Sequence, residues 1–146
     1  MDINFVILIG KLANTPQELV IDYDKHPHAV KIPGAKFRLI TKKYKKTKET
    51  TESTIITERH NIKVFNQNAL YSLDKLKQGS KVFILGELHY HMFKTEDNKV
   101  GQNTEIIAKL IIDFKQDKDV IKDKLMKLVT DNTISTSVME KILTTL

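Results

Sequence analysis

The chain of 146 residues has no cysteine and no tryptophan. Without cysteine there is no disulfide, no thiolate nucleophile and no cysteine-ligated zinc. Long apolar runs are missing as well. None approaches the roughly 20 residues that a membrane-spanning helix needs, so no membrane partner is expected. The opening Met1-Asp2-Ile3-Asn4 enters a strand pattern at once and lacks the basic start of a signal peptide. These absences predict a soluble intracellular protein.

What is present is basic and two-fifths apolar. Twenty-four Lys and Arg against 18 Asp and Glu leave a formal charge of +6, which favours a polyanionic partner, nucleic acid being the commonest. A hydrophobic content of 40% suffices for one packed core, and the length suits one domain plus an appendage.

Residues 3–12 (INFVILIGKL) are β-branched and apolar on both faces, which reads as a buried strand closed by Ala13-Asn14-Thr15-Pro16. Residues 19–23 predict a short continuation, and His26-Pro27-His28 and Pro33-Gly34 punctuate a loop. Residues 35–45 and 55–66 read as long strands joined by a polar hairpin loop at 46–54. Leu70, Leu73 and Leu76 stand at helical spacing within 68–77, and Gly79 is placed to cap that helix. Strands at 81–93 and 103–114, joined by a turn-rich loop at 94–102, complete the order β-β-β-α-β-β. That is the order of a mostly β, five-stranded OB-fold barrel of Greek-key type, with one helix between strands 3 and 4, and it is shared in part with other small barrels.

Past residue 114 the pattern turns helical, so the expected organisation is a barrel over 1–114 and a helical tail over 115–146. Ile121, Leu125, Leu128 and Val129 form one stripe, with Asp117 or Asp119 available to cap it and Asn132-Thr133 to break it. Ser137-x-x-Glu140 reads as a capping box for a second helix carrying Met139, Ile142, Leu143 and Leu146.

Alternation divides each strand into two faces. Over 35–45, Phe37, Leu39 and Thr41 oppose Lys36, Arg38, Lys42 and Tyr44. Over 59–66, His60, Ile62 and Val64 oppose Arg59, Lys63 and Phe65. Over 81–93, Val82, Ile84, Leu88, Tyr90 and Met92 oppose Phe83, Leu85, His89, His91 and Phe93. Three strands thus repeat one theme: an apolar face, and a face of cations or histidines with one outward aromatic, Tyr44, Phe65 or Phe93. Single-stranded nucleic acid asks for that mixture, because phosphates attract Lys and Arg while unstacked bases seek flat apolar platforms. One such aromatic is ordinarily core or tolerated surface; the repetition beside cations is what points to binding. Lys11, Lys45 and Lys77 are further candidates for phosphate contacts, and a lysine-rich window runs from Lys36 to Lys48.

Over roughly residues 3–114 the chain resembles the bacterial-type single-stranded-DNA-binding proteins, a family that includes mitochondrial members. The likeness rests on Asn4-x-Val6-x-Leu8-x-Gly10-x-Leu12 with Pro16, Phe37-x-Leu39-x-Thr41, and Thr57-Glu58-Arg59-His60 followed by Val64-Phe65. Gly79-Ser80-Lys81-Val82, Gly86-Glu87-Leu88 and Thr104-Glu105-Ile106 continue it in order. The resemblance implies an OB-fold and sequence-independent binding of single-stranded DNA in replication, recombination and repair. It further implies a homotetramer, with a dimer as the alternative, and neither catalysis nor cofactor nor metal. Phe65 and Phe93 fall where the family stacks bases, Tyr44 or the adjacent Lys45 at another such place, and His60 at a histidine of the subunit interface.

Three departures stand out. Arg59 replaces a tryptophan, and a guanidinium plane stacks while adding charge. His89 and His91 replace arginines. The family's acidic, phenylalanine-ended tip is missing, and Lys141-Ile142-Leu143-Thr144-Thr145-Leu146 stands instead. The tail is therefore expected either to dock on the barrel or to bind a replication or recombination protein. The expected location is cytoplasmic, with the mitochondrial matrix or a mobile element as other origins. Other readings are an RNA-binding or primosomal OB-fold protein, an adaptor using its helical tail, and a metal enzyme using His89, His91 and Glu87.

Overall fold

The structure is a computed structural model that describes residues 2–20, 28, 31–46 and 53–146. Strands β1 (Val6–Leu12), β2 (Gln17–Glu18), β3 (Gly34–Lys46) and β4 (Ser53–Phe65) are followed by helix α1 (Gln67–Lys75). Strands β5 (Lys81–Lys94) and β6 (Val100–Asp113) and helices α2 (Lys118–Thr130) and α3 (Thr136–Leu143) complete the chain. The sheet order is β1-β5-β6-β4-β3-β2, and an additional pairing of β1 with β3 closes it. Five long strands, with α1 between the third and fourth of them, make the expected OB-fold barrel.

Closure requires two backbones to approach closely. Lys11 lies opposite Ile40 and Leu12 opposite Leu39. At the preceding residue, Gly10, any Cβ would run into the Ile40 carbonyl oxygen. A residue without a side chain is what this junction permits. Asn4 extends β1 on its other side: its side-chain amide donates to the Leu88 carbonyl and accepts from the Leu88 N–H, both at 2.8 Å.

The inward half of each alternation fills the barrel except at the far end of β5, where Tyr90 and Met92, expected on the apolar face, are exposed because the strand runs on past the core. Leu12, Phe37, Leu39, Ile62, Val64, Val82 and Ile84 are buried in the barrel, as their spacing predicts. In β6 the alternation breaks. Leu85 pairs with Leu110, yet Gly86 pairs with Ala108, so Lys109 is an extra residue in a bulge. The bulge reverses parity, and Ile106, Ala108 and Ile111 all reach the same core.

A second core lies outside the barrel wall. Phe83 and Ile112 are fully buried there, flanked by the partly buried Ile7, Ile9, Leu85 and Leu110, beneath Ile121, Leu125, Leu128, Met139 and Ile142. The helical tail is thus packed on the barrel. Asp117 caps α2 by accepting a 2.8 Å bond from the Asp119 N–H. The cap of α3 is Ser135, not Ser137: its hydroxyl accepts from the Val138 N–H. Ser135 has the extended backbone that a capping residue needs, while Ser137 already lies within the helix.

Other bounds shift for local reasons. The short strand expected at 19–23 falls at Gln17 and Glu18, which pair with Lys36 and Ala35. Leu19 contributes only an N–H to the Gly34 carbonyl. Residues 21–23, His26 and Pro27, and 47–52 of the expected hairpin loop lie outside the described residues. Helix α1 ends at Lys75, earlier than expected, and buries Ala69 and Ser72 while Leu70 and Leu73 are exposed. Gly79, at φ +89°, serves the turn from Lys77 to Ser80 rather than the helix end. The 94–102 loop is shorter than expected, since β6 starts at Val100.

The Tyr71 hydroxyl donates to Asp113 at 2.9 Å and ties α1 to β6. Burial, reinforced by that carboxylate, pushes the phenol up to about 12. A raised folded value means that the stabilisation is complete below the free phenol's pKa of about 10 and is lost as pH climbs through about 12. Tyr71→Phe should cost about 1.5 kcal/mol in urea unfolding at neutral pH and remove that alkaline decline. Leu125→Ala should cost about 3 kcal/mol in one cooperative transition, because the second core is continuous with the barrel wall.

Candidate nucleic-acid interface

The outward positions of β3, β4, β6 and β5 form cross-strand rows. Lys36 lies opposite Lys63, Arg38 opposite Asn61, and Ile40 opposite Arg59. The parallel pairing sets Asn61 beside Glu105 and Lys63 beside Ile107. On the far side, Glu105 faces His89, Asn103 faces His91 and Gly101 faces Phe93. One wall of the barrel therefore carries cations, amides and rings across four strands.

Lys36, Arg38, Arg59 and Lys63 line one groove of about 660 Å³. Asn14, Gln17, Asn61, Asn103 and Glu105 also line it. Asn14 fixes one bank, since its side-chain oxygen accepts the Arg38 N–H at 2.8 Å. Alternation alone could have found Asn61, which shares a face with Arg59 and Lys63. It could not have found Glu105, whose position depends on the parallel register of β4 and β6.

Glu105 changes the role of Lys63. The Lys63 ammonium sits 2.9 Å from the Glu105 carboxylate, and both side chains are largely covered. Lys63 is therefore held in the groove by a protein carboxylate, whereas among the described residues Lys36, Arg38 and Arg59 carry no ion pair. Lys36 and Lys63 are directly opposed like charges, an arrangement that costs stability unless an anion stands between or beside them. Glu105 supplies part of that compensation.

The rings flank the groove. Phe93 lies over Gly101, where an added Cβ would run into the end of the Phe93 ring. The Phe93 side chain remains 38% exposed. Phe65 is half-buried beside Gly34 at the opposite end of the β4 row. Tyr44 is 71% exposed on the extended β3–β4 hairpin.

Not every candidate joins this wall. Lys42 shares the outward face with Arg38, but Lys45 falls on the other face, with Thr41, so Tyr44 alone of that pair faces outward. His89 and His91 are outward, and His89 Nε2 lies 3.4 Å from a Glu87 oxygen. Among the described residues no three His, Asp or Glu side chains converge as a metal site requires. Phe83 and Leu85, on the same face lower down, are covered by the helices. Lys11 and Lys77 border other depressions of the surface. His60 shares a 2.8 Å hydrogen bond with the Thr41 hydroxyl on the inward face and is half-buried.

A sequence model of the single-strand binding protein family matches residues 3–114. The chain belongs to this family. Among solved structures it is similar to the Plasmodium falciparum SSB in complex with ssDNA, at 27% identity and a TM-score of 0.65, covering 78% of this chain and 97% of that one. A deletion mutant of the single-stranded DNA binding protein from Thermus aquaticus shares the fold at 18% identity and a TM-score of 0.61, covering 77% of this chain and 50% of that one. The family match ends at Asp113-Phe114, so α2 and α3 lie beyond it.

The ion pair in the groove can be separated from its surroundings by a double-mutant cycle. Lys63→Ala should cost about 2 kcal/mol of stability because it strands Glu105, and adding Glu105→Ala should restore about half of that loss. Denaturant unfolding of the four variants measures it.

Proposed function

We propose that the chain binds single-stranded DNA without sequence preference, coating and protecting it in replication, recombination and repair as a binding protein and not a catalyst. The observation that carries this reading is the groove in which Lys36, Arg38 and Arg59 gather with no ion pair among the described residues, flanked by the partly exposed ring of Phe93. Family membership supports it, and so does the likeness to a protein solved with ssDNA bound. The RNA-binding and adaptor readings have no comparable support.

The division of labour follows from chemistry. Phosphates displace counterions at Lys36, Arg38 and Arg59, which gives affinity that decays with salt. Bases stack on Phe93 and Phe65, a contact indifferent to base identity because every base has a π-face. Arg59 contributes charge and a planar stacking surface where no tryptophan is available. Lys63 contributes less charge than its position suggests, because Glu105 already neutralises it. Assembly into a homotetramer, or a dimer, with His60 at the interface is part of the same proposal, and light scattering reads it.

The test is a fluorescence titration with labelled oligo-dT at several salt concentrations. Phe93→Ala should weaken binding about tenfold with an unchanged salt slope. Lys36→Ala should lower the slope by about 0.7. An intact protein that ignores oligo-dT at low ionic strength overturns the proposal.

A further inference from the structure

The cations outside the groove are not scattered. Lys42 continues the outward row of β3 past Ile40. Across from Ile40 lies Lys11, and across from Lys11 lies Lys81. These residues line a second depression of about 570 Å³ containing no acidic side chain. It adjoins the groove, with Ala13 common to both. Gln78, Gly79 and Lys81 are in turn shared with a third depression of about 480 Å³, lined also by Lys77, Phe114, Lys115 and Lys118. The depressions thus join end to end, from β3 across β1 and β5 to the start of α2.

The third depression repeats the chemistry of the first. It has four lysines around a half-buried ring, and the Lys81 ammonium lies 5.6 Å from the centre of Phe114. Its one acidic side chain, Asp113, is occupied: one oxygen accepts from Tyr71 and the other from the Lys115 N–H. Among the described residues none of Lys11, Lys42, Lys77, Lys81, Lys115 and Lys118 forms an ion pair. Lys11 and Lys81 are directly opposed across β1 and β5, a second pair of facing like charges. Facing cations along a continuous channel fit one occupant, a flexible polyanion whose phosphates recur along its length.

We propose that single-stranded DNA leaving the groove crosses β1 at Lys11 and runs past Phe114 to Lys115 and Lys118, so that the segment beyond the family match forms part of the binding track. The inference rests on the DNA-binding reading above and extends it to residues of a different element. A short strand fills the groove; a longer one reaches the α2 end. Lys77, which the groove does not contain, finds its place here.

The experiment compares the intact chain with Lys115→Ala/Lys118→Ala, two exposed positions whose loss leaves both cores untouched. Binding is titrated with oligo-dT of about 8 nucleotides, within the span of one OB-fold, and with one severalfold longer. The double variant should bind the short oligonucleotide as the intact chain does. It should bind the long one about fivefold more weakly, with a salt slope lower by about 1.4 for two lost phosphate contacts. Equal affinity and slope on the long oligonucleotide overturn this inference and leave the groove standing. Equal weakening on both lengths also overturns it, since a separate track cannot act on a strand that does not reach it. Failure of the intact chain on both lengths overturns the DNA-binding reading itself.

Discussion

A barrel has an inside and an outside only if its sheet closes, and here closure rests on the short contact of β1 with β3 at Lys11 and Leu12. Gly10 makes that contact sterically allowed. The meaning of every other alternation follows from it. Once the sheet is closed, even and odd positions of β3, β4 and β5 are committed to core or to surface, and a strand slipped by one residue would exchange them. The surface is then shared out. Helices α2 and α3 cover the β1–β5–β6 side, and the cations of the groove, Lys36, Arg38, Arg59 and Lys63, lie on β3 and β4.

The charge arrangement opposes stability and serves binding. Lys36 faces Lys63 and Lys11 faces Lys81, and neither arrangement helps the free protein fold. Glu105 offsets one of them. Its placement at the groove centre, largely buried beside Lys63, keeps that ammonium in position when no strand is bound. The remaining cations are left for phosphates. A protein that filled the groove with carboxylates would fold more easily and hold a polyanion less tightly.

Much of this was legible in the residues because the relevant physics is local. Alternation in Phe37-Arg38-Leu39 and in Ile62-Lys63-Val64 needs no knowledge of distant chain, and it assigned core and groove faces correctly. What escaped depends on contacts across the chain. The bulge at Lys109 has no signature in a run of apolar residues, yet it decides which of Ile107, Ala108 and Ile111 face inward. Glu105 meets Lys63 only through a parallel pairing between strands separated by a helix and a strand. The capping serine of α3 was misread because Ser135 and Ser137 both fit the composition, and only the backbone angle separates them. Whether Phe83 is a surface ring or a covered one turns on where the tail packs, which periodicity does not state.

The docked tail also constrains what the tail can do. Ile121, Leu125, Leu128, Met139 and Ile142 are the apolar stripe that an adaptor helix would offer to a partner, and all five are buried against the barrel. Presenting them elsewhere would require undocking, which would expose Phe83 and Ile112 on the wall at the same time. Two apolar surfaces would then face water in exchange for one new contact, an unfavourable trade by area alone. The face left outward includes Val120, Met126 and Val138, each partly exposed. A protein that engages the tail in its docked form would have to read those positions, with the lysines of α2 around them. The stripe that makes the tail look like a recruitment helix in the sequence is the feature that binds it to its own barrel.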